Sequence, residues 1–97
     1  MNDYIFLMHN DALGSDNGDA WAAYLAKLRQ TGAFQGGSAI GDGACISKSG
    51  TTSNVTAKLS GYILVQAESL AHARELVNGN PVFEAGGTVE IRALPKT

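Results

Sequence analysis

Cysteine is nearly absent. Cys45 stands alone in a chain of 97 residues, so no internal disulfide can form and a disulfide-stabilised secreted scaffold is excluded. Charge is scarce as well: Asp, Glu, Lys and Arg make up 16%, against about 25% in an average soluble chain, which leaves surface for a partner to cover. A net charge of −2 gives no electrostatic footing for a phosphate backbone, and no nucleic-acid partner is expected. The longest apolar runs, Tyr4–Met8 and Tyr62–Val65, are far short of the ~18 residues that span a bilayer, so no membrane partner is expected either. An acidic residue in Met-Asn-Asp-Tyr occupies the place where a signal peptide carries basic ones, and the expected compartment is the cytoplasm. No Cys or His cluster has metal-ligand spacing, so no metal site is expected and no cofactor is implied.

What is present is a core. Hydrophobic residues make up 44%, enough for one domain and too few residues for two. Tyr4–Met8 reads as a strand buried on both faces. Asp11–Gly18 is a loop by composition. Asp19–Thr31 reads as a helix, with Trp21, Tyr24, Leu25 and Leu28 on one stripe and Gly32 placed for a left-handed cap. Phe34–Ile40 is a second strand whose Gly36-Gly37 pair predicts a bulge or close backbone approach. Ala44–Ser47 and Ser53–Lys58 read as arms of a hairpin turned by Lys48-Ser49-Gly50-Thr51. Gly61–Ala67 is a strong strand. Ser69 caps a second helix running to about Asn78, with Leu70, Ala73, Leu76 and Val77 inward. Gly79 ends it, Pro81 is expected to forbid a restart, and Phe83–Gly87 is a turn. Thr88–Arg92 alternates as a half-buried strand does.

The order is that of an α+β fold of ferredoxin-like type, βαββαβ with an inserted hairpin. Its helices cover one sheet face, yet the strands are apolar on both. Ile5 and Leu7 are taken as the helix side, and Tyr4, Phe6, Met8, Tyr62 and Leu64 as an outer face. That face needs a lid, and the simplest lid is a second copy, giving a homodimer.

Several stretches carry a resemblance. Gly61–Leu70 (Gly-Tyr-Ile-Leu-Val-Gln-Ala-Glu-Ser-Leu) and Asn80–Arg92 (Asn-Pro-Val-Phe-Glu-Ala-Gly-Gly-Thr-Val-Glu-Ile-Arg) resemble the YCII-related family, whose broader membership includes DGPF-domain proteins. Phe6–Asp11 and Ala33–Ser38 look like its first two strands. The resemblance covers nearly the whole chain and implies a dimeric α+β barrel. The Asp-Gly-Pro-Phe motif itself would fall near Ser49-Gly50-Thr51-Thr52, where only Gly50 is kept. Relatives use a His–Asp pair with the histidine on the first helix; this first helix has no histidine, so that catalytic assignment does not carry over.

The residues offer their own candidates. His9 ends the first strand, expected on the face of Ile5 and Leu7 toward the helices. It can exchange a proton near neutral pH, and Asp11 is placed to orient its ring; the alternative is a strand-end histidine bonded to backbone. His72 reads as solvated helix surface. Glu90 and Arg92 share a face of the last strand with Thr88, and with Tyr62 and Gln66 across the sheet. They either bind a small anion in the barrel interior or pair across the dimer seam. Ser38, Asp42 and Ser47 lie near Gly41-Asp42-Gly43, but no nucleophile elbow or phosphate loop is formed there. Cys45 is expected to be buried packing. Ser60–Ala67 keeps the glycine, one aromatic and the valine of an RNA-recognition strand but lacks its basic residue and two aromatics.

The catalytic candidates are thus His9 and Asp11, and the ligand-binding candidates are Ser38, Tyr62, Glu90 and Arg92. The leading expectation is a small homodimer with a small-molecule pocket, placed around His9 and Asp11, performing acid–base chemistry. The alternative is a non-catalytic dimeric ligand-binding or accessory module.

Overall fold

The structure, a computed structural model, describes residues 1–14, 18–50 and 52–96. Its elements are β1 (Asn2–His9), α1 (Gly18–Gln30), β2 (Phe34–Ala39), a 3-10 turn (Val55–Lys58), β3 (Leu59–Ala67), α2 (Leu70–Glu75), α3 (Pro81–Glu84) and β4 (Val89–Leu94). The strands form one antiparallel sheet in the order β2-β3-β1-β4. The two most apolar strands, β1 and β3, take the centre, where both edges are paired and both faces need cover.

One sheet face is packed under the helices. Tyr4, Phe6 and Met8 from β1 meet Ile63, Val65 and Ala67 from β3. Tyr24 and Leu28 of α1, Ala73 of α2, Val77 and Val82 close over them. Phe6 is 0% and Leu28 1% exposed, so this is the core. The expected assignment of β1 faces is therefore reversed. Tyr4, Phe6 and Met8 point to the helices, while Ile5, Leu7 and His9 lie half-buried on the open face. Register decides it: Ile5 pairs with Leu64 and Leu7 with Tyr62, whereas Tyr4 pairs with Val65 and Phe6 with Ile63. Residues paired across antiparallel strands share a face.

Glycine chemistry in β2 is as expected. The register shifts between Phe34 and Gly36, and Gly36 has φ +140°, an angle that disfavours a side chain. Gly37 lies so close to β3 that a Cβ would sit 2.6 Å from the Tyr62 carbonyl oxygen.

The inserted hairpin is absent. Among the described residues from 40 to 54 there is no strand, and the Ser53–Lys58 arm ends in the 3-10 turn. The turn itself forms, with the Gly50 amide donating to the Ser47 carbonyl at 3.1 Å; Thr51 lies outside the described residues. The arms are rich in Gly, Ser, Thr and Asn, so pairing them would bury almost no apolar surface, and an unsupported hairpin is marginal in water. Cys45 is exposed for the same reason, its thiol 3.7 Å from the Ser53 carbonyl, not buried as expected.

Pro81 starts a helix instead of forbidding one. It occupies the first turn of α3, where a missing N–H costs nothing. The Asn80 side-chain oxygen accepts from the Val82 and Phe83 amides at 2.9 and 3.2 Å. The second helix is shorter than expected, Leu70–Glu75, capped by Ser69 accepting from the His72 amide. The His72 ring accepts from the Glu68 amide at 3.1 Å, so this histidine is part of the cap.

Candidate functional site

Two constellations stand out, one on each sheet face. On the open face the pairing lays side chains in rows. Arg92, Ile5 and Leu64 form one row, and Glu90, Leu7 and Tyr62 the next. His9 follows Leu7 on the same face and reaches diagonally to Glu90, with Nε2 3.0 Å from Oε1. The other Glu90 oxygen accepts from Arg92 Nε at 2.8 Å. The result is a continuous His9–Glu90–Arg92 chain. His9 and Glu90 side chains are 27% and 33% exposed, and Arg92 is 70% exposed.

Two polar contacts hold the Glu90 carboxyl below the ordinary range: the hydrogen bond from His9 first, then that from Arg92. An ionised Glu90 accepts the Nε2 proton, so a neutral ring keeps its lone pair on Nδ1. Among the described residues Nδ1 has no hydrogen-bond partner. That ring position is free to accept a proton from a ligand.

The two expected sites at His9 and at Glu90–Arg92 are thus one. Asp11 is not part of it as expected. Both its oxygens are taken by Thr88, from the backbone amide at 2.8 Å and from Oγ1 at 2.7 Å. These bonds lower the Asp11 carboxyl; the charge of nearby His9 is the weakest of the influences. Glu90 is the residue that orients the ring. Gln66 shares the open face and donates to Asp3 at 3.2 Å.

The other constellation is a cavity of about 360 Å³ under α1, opening at the β2 side of the helix layer. Trp21 and Leu25 roof it, Met8, Phe34 and Ile63 form its apolar floor, and Ser38, Ser60 and Tyr62 lie at its rim. Gly37 and Gly61 are also in its wall. The Arg29 guanidinium lies 5.0 Å from the centre of the Phe34 ring, a cation–π contact beside the opening. The cavity does not include His9 or Asp11, so its position differs from the expected pocket. Ser38 and Tyr62 pair across β2 and β3 on the open face, so they meet the cavity only at its rim.

Trp21, Leu25 and Phe34 were readable only as core. The signal that separates them is structural: they remain half-buried around an open space. Among the described residues no group of His, Cys, Asp and Glu is placed to hold a metal ion, and no helix is long and apolar enough to cross a membrane.

A four-stranded antiparallel sheet with helices on one face, and with a Glu-Ile-Arg strand at its edge, places the chain among small α+β domains. The chain belongs to the YCII-related domain family, whose model matches residues 6–95. It is similar in fold to 5-chloro-2-hydroxyhydroquinone dehydrochlorinase from Burkholderia phenoliruptrix AC1100, solved in complex with 2,5-dihydroxybenzoquinone. That likeness has a TM-score of 0.57 and 17% identity, and covers 98% of this chain and 95% of that one. No curated protein matches the sequence.

Proposed function

We propose that the protein is a cytoplasmic homodimer that binds a small, uncharged ring compound in the cavity under α1. The cavity carries this reading. A volume of about 360 Å³ lies within the range of small-molecule sites and well above the ~150 Å³ that admits benzene. Among the described residues its lining holds no carboxylate, lysine or arginine, which suits a neutral ring. The structural neighbour's ligand, 2,5-dihydroxybenzoquinone, is a molecule of this size.

The open face supports the dimer. The strand order β2-β3-β1-β4 agrees with a ferredoxin-like sheet, and the molecule is a slab 18 Å thick, one sheet plus one helix layer. Ile5, Leu7, Tyr62 and Leu64 form an apolar strip on the bare side. Packing two such faces gives a dimeric α+β barrel and buries the strip. An exposed free Cys45 suits a reducing compartment.

Trp21 is the only tryptophan and roofs the cavity, so its fluorescence reads the site directly. Titration with 1,4-hydroquinone is expected to quench it saturably, and plugging the opening with Ala39→Phe is expected to abolish saturation. A linear quench equal to that of free tryptophan would remove the reading.

A second reading, acid–base catalysis, is favoured by one observation: Glu90 fixes the His9 ring and leaves Nδ1 open. It would place the chemistry on the open face and not in the cavity. Loss of a turnover activity in His9→Gln with the fold intact would support it; full activity in that variant would exclude it.

A further inference from the structure

We propose that the His9–Glu90–Arg92 chain is a proton-transfer site for a small carboxylate bearing an acidic C–H next to a carbonyl, a 2-oxo acid being the simplest example. This rests on the acid–base reading and names its substrate class.

The geometry supplies three requirements of such a substrate. The anion is met by Arg92, which commits only Nε to Glu90 and, with a side chain 70% exposed, keeps its two terminal amino groups for a carboxylate. The acidic proton is met by His9 Nδ1, the ring nitrogen that Glu90 leaves unprotonated. The two are held near each other by one carboxylate: Glu90 contacts His9 Nε2 at 3.0 Å and Arg92 Nε at 2.8 Å, which places the base and the anion-binding group on either side of it. Ile5 and Leu7 lie beside it in neighbouring rows, so in the dimer the site sits at the β4 edge of the apolar seam, where the lower local dielectric strengthens both polar contacts.

Charge is balanced before binding. The Glu90 carboxylate is already paired with Arg92, so one bound carboxylate does not meet an uncompensated like charge. Asp11 is the other carboxylate near the ring, and Thr88 holds both its oxygens away from the ligand. Asp3 sits at the opposite end of the face and accepts from Gln66.

In the step itself, Nδ1 takes the proton on the carbon beside the carbonyl. The C–H electron pair becomes the enolate double bond, and the negative charge moves to the carbonyl oxygen. Glu90 stabilises the imidazolium through Nε2. Return of a proton to carbon restores the substrate, or its isomer if a different atom receives it. No electron is gained or lost overall. His9 is the catalytic residue, Arg92 the anion-binding residue and Glu90 a positioning residue.

The test uses the full chain with pyruvate in deuterium oxide, following loss of the methyl proton signal by NMR. Saturable, protein-dependent exchange is expected. His9→Gln should slow it by about 100-fold or more, the usual contribution of a positioned base. Arg92→Met should raise the half-saturating pyruvate concentration about tenfold and change the saturated rate less. Glu90→Gln should lower the maximal rate with little change in the half-saturating pyruvate concentration, because the imidazolium loses its carboxylate partner; a merely structural residue would not give that split. Thermal melts establish that each variant is folded. Exchange no faster than in the same concentration of free imidazole, or unchanged by His9→Gln, overturns the proposal. Acetone, the same carbon acid without the carboxylate, separates the two levels. If acetone exchanges through His9 and pyruvate gains no advantage, acid–base chemistry stands and the carboxylate class falls; if neither exchanges, both fall.

Discussion

Asp11 and Thr88 are joined twice, through the Thr88 amide and through its hydroxyl, at 2.8 and 2.7 Å. The pair ties the loop after β1 to the entry of β4, and so holds β4 in the register that puts Glu90 beside His9. It also explains why the nearer carboxylate in sequence is not the ring's partner: both Asp11 oxygens are turned to Thr88.

Acid should loosen this corner first. Asp11 and Glu90 both titrate below their ordinary values of 3.8 and 4.5. A carboxyl with a depressed folded pKa stabilises the fold above its unfolded value, and that stability is lost as the pH falls through the folded one. Urea midpoints measured from pH 6 to pH 2 are therefore expected to drop below about pH 4.5. Asp11→Asn should start lower at pH 6 and fall less. An identical pH dependence in the variant would show that the Thr88 bonds contribute nothing.

The open face gives a second expectation. Leu64→Glu places a carboxylate in the apolar strip beside Ile5, where burial against a second copy would cost several kcal/mol. Sedimentation should show dimers for the wild type and monomers for the variant at micromolar concentration. Phe6→Glu, by contrast, should unfold the chain, since Phe6 lies at 0% exposure in the core. A monomeric wild type would dismiss the barrel.

How much of this was legible in the sequence depends on distance along the chain. The α1 stripe, the Gly32 and Ser69 caps and the Gly36 bulge are local, and residue chemistry alone identifies them. The faces of β1 were not, because Tyr4, Phe6 and Met8 are apolar and so are Ile5 and Leu7; alternation cannot say which set is inward until register against β3 is known. The Glu90 partner of His9 lies 81 positions away, and no spacing rule reaches that far, whereas Asp11 was close enough to mislead. The 44–58 hairpin was inferred from a turn signal that is real, but its arms have no apolar face to hold them. Cavities are the least legible feature, since an empty volume is defined by what does not reach it: here Trp21, Leu25 and Phe34 line the space without closing it, and Gly37 and Gly61 bring backbones close together at its wall.

Those close approaches predict where added methyls are refused. A Cβ at Gly87 would lie 2.7 Å from Val82 Cγ1 and 2.9 Å from the Val82 carbonyl oxygen. Gly87 does not have positive φ; Gly86 does, at +85°. The need for glycine at 87 is therefore steric, not conformational. Gly87→Ala and Gly37→Ala are each expected to cost about 1–3 kcal/mol by overpacking against backbone, seen as lower urea midpoints. Gly41→Ala, with open space around it, should cost little, and an equal loss at all three positions would contradict the steric account.

Tyr24 provides the last expectation. It is 2% exposed, its ring meets Trp21 edge-on at 6.1 Å, and its hydroxyl donates to the Leu76 carbonyl at 2.7 Å. That bond satisfies a carbonyl at the end of α2 and anchors α1 beneath it. Burial pushes the phenol up to about 12, opposed only by the Asn80 side chain. A phenol with a raised folded pKa is favoured in its neutral form, so the unfolded chain ionises first. Stability should therefore fall as the pH rises from 10 toward 12. Tyr24→Phe removes both effects. At pH 7 it should cost about 1–3 kcal/mol, because the Leu76 carbonyl loses its partner in a buried setting. Above pH 10 its stability should decline less steeply than the wild type's. Absorbance at alkaline pH should show a late-ionising tyrosine that the variant lacks. A wild type whose tyrosines all ionise near pH 10 without loss of structure would mean that α1 does not seal this ring from water.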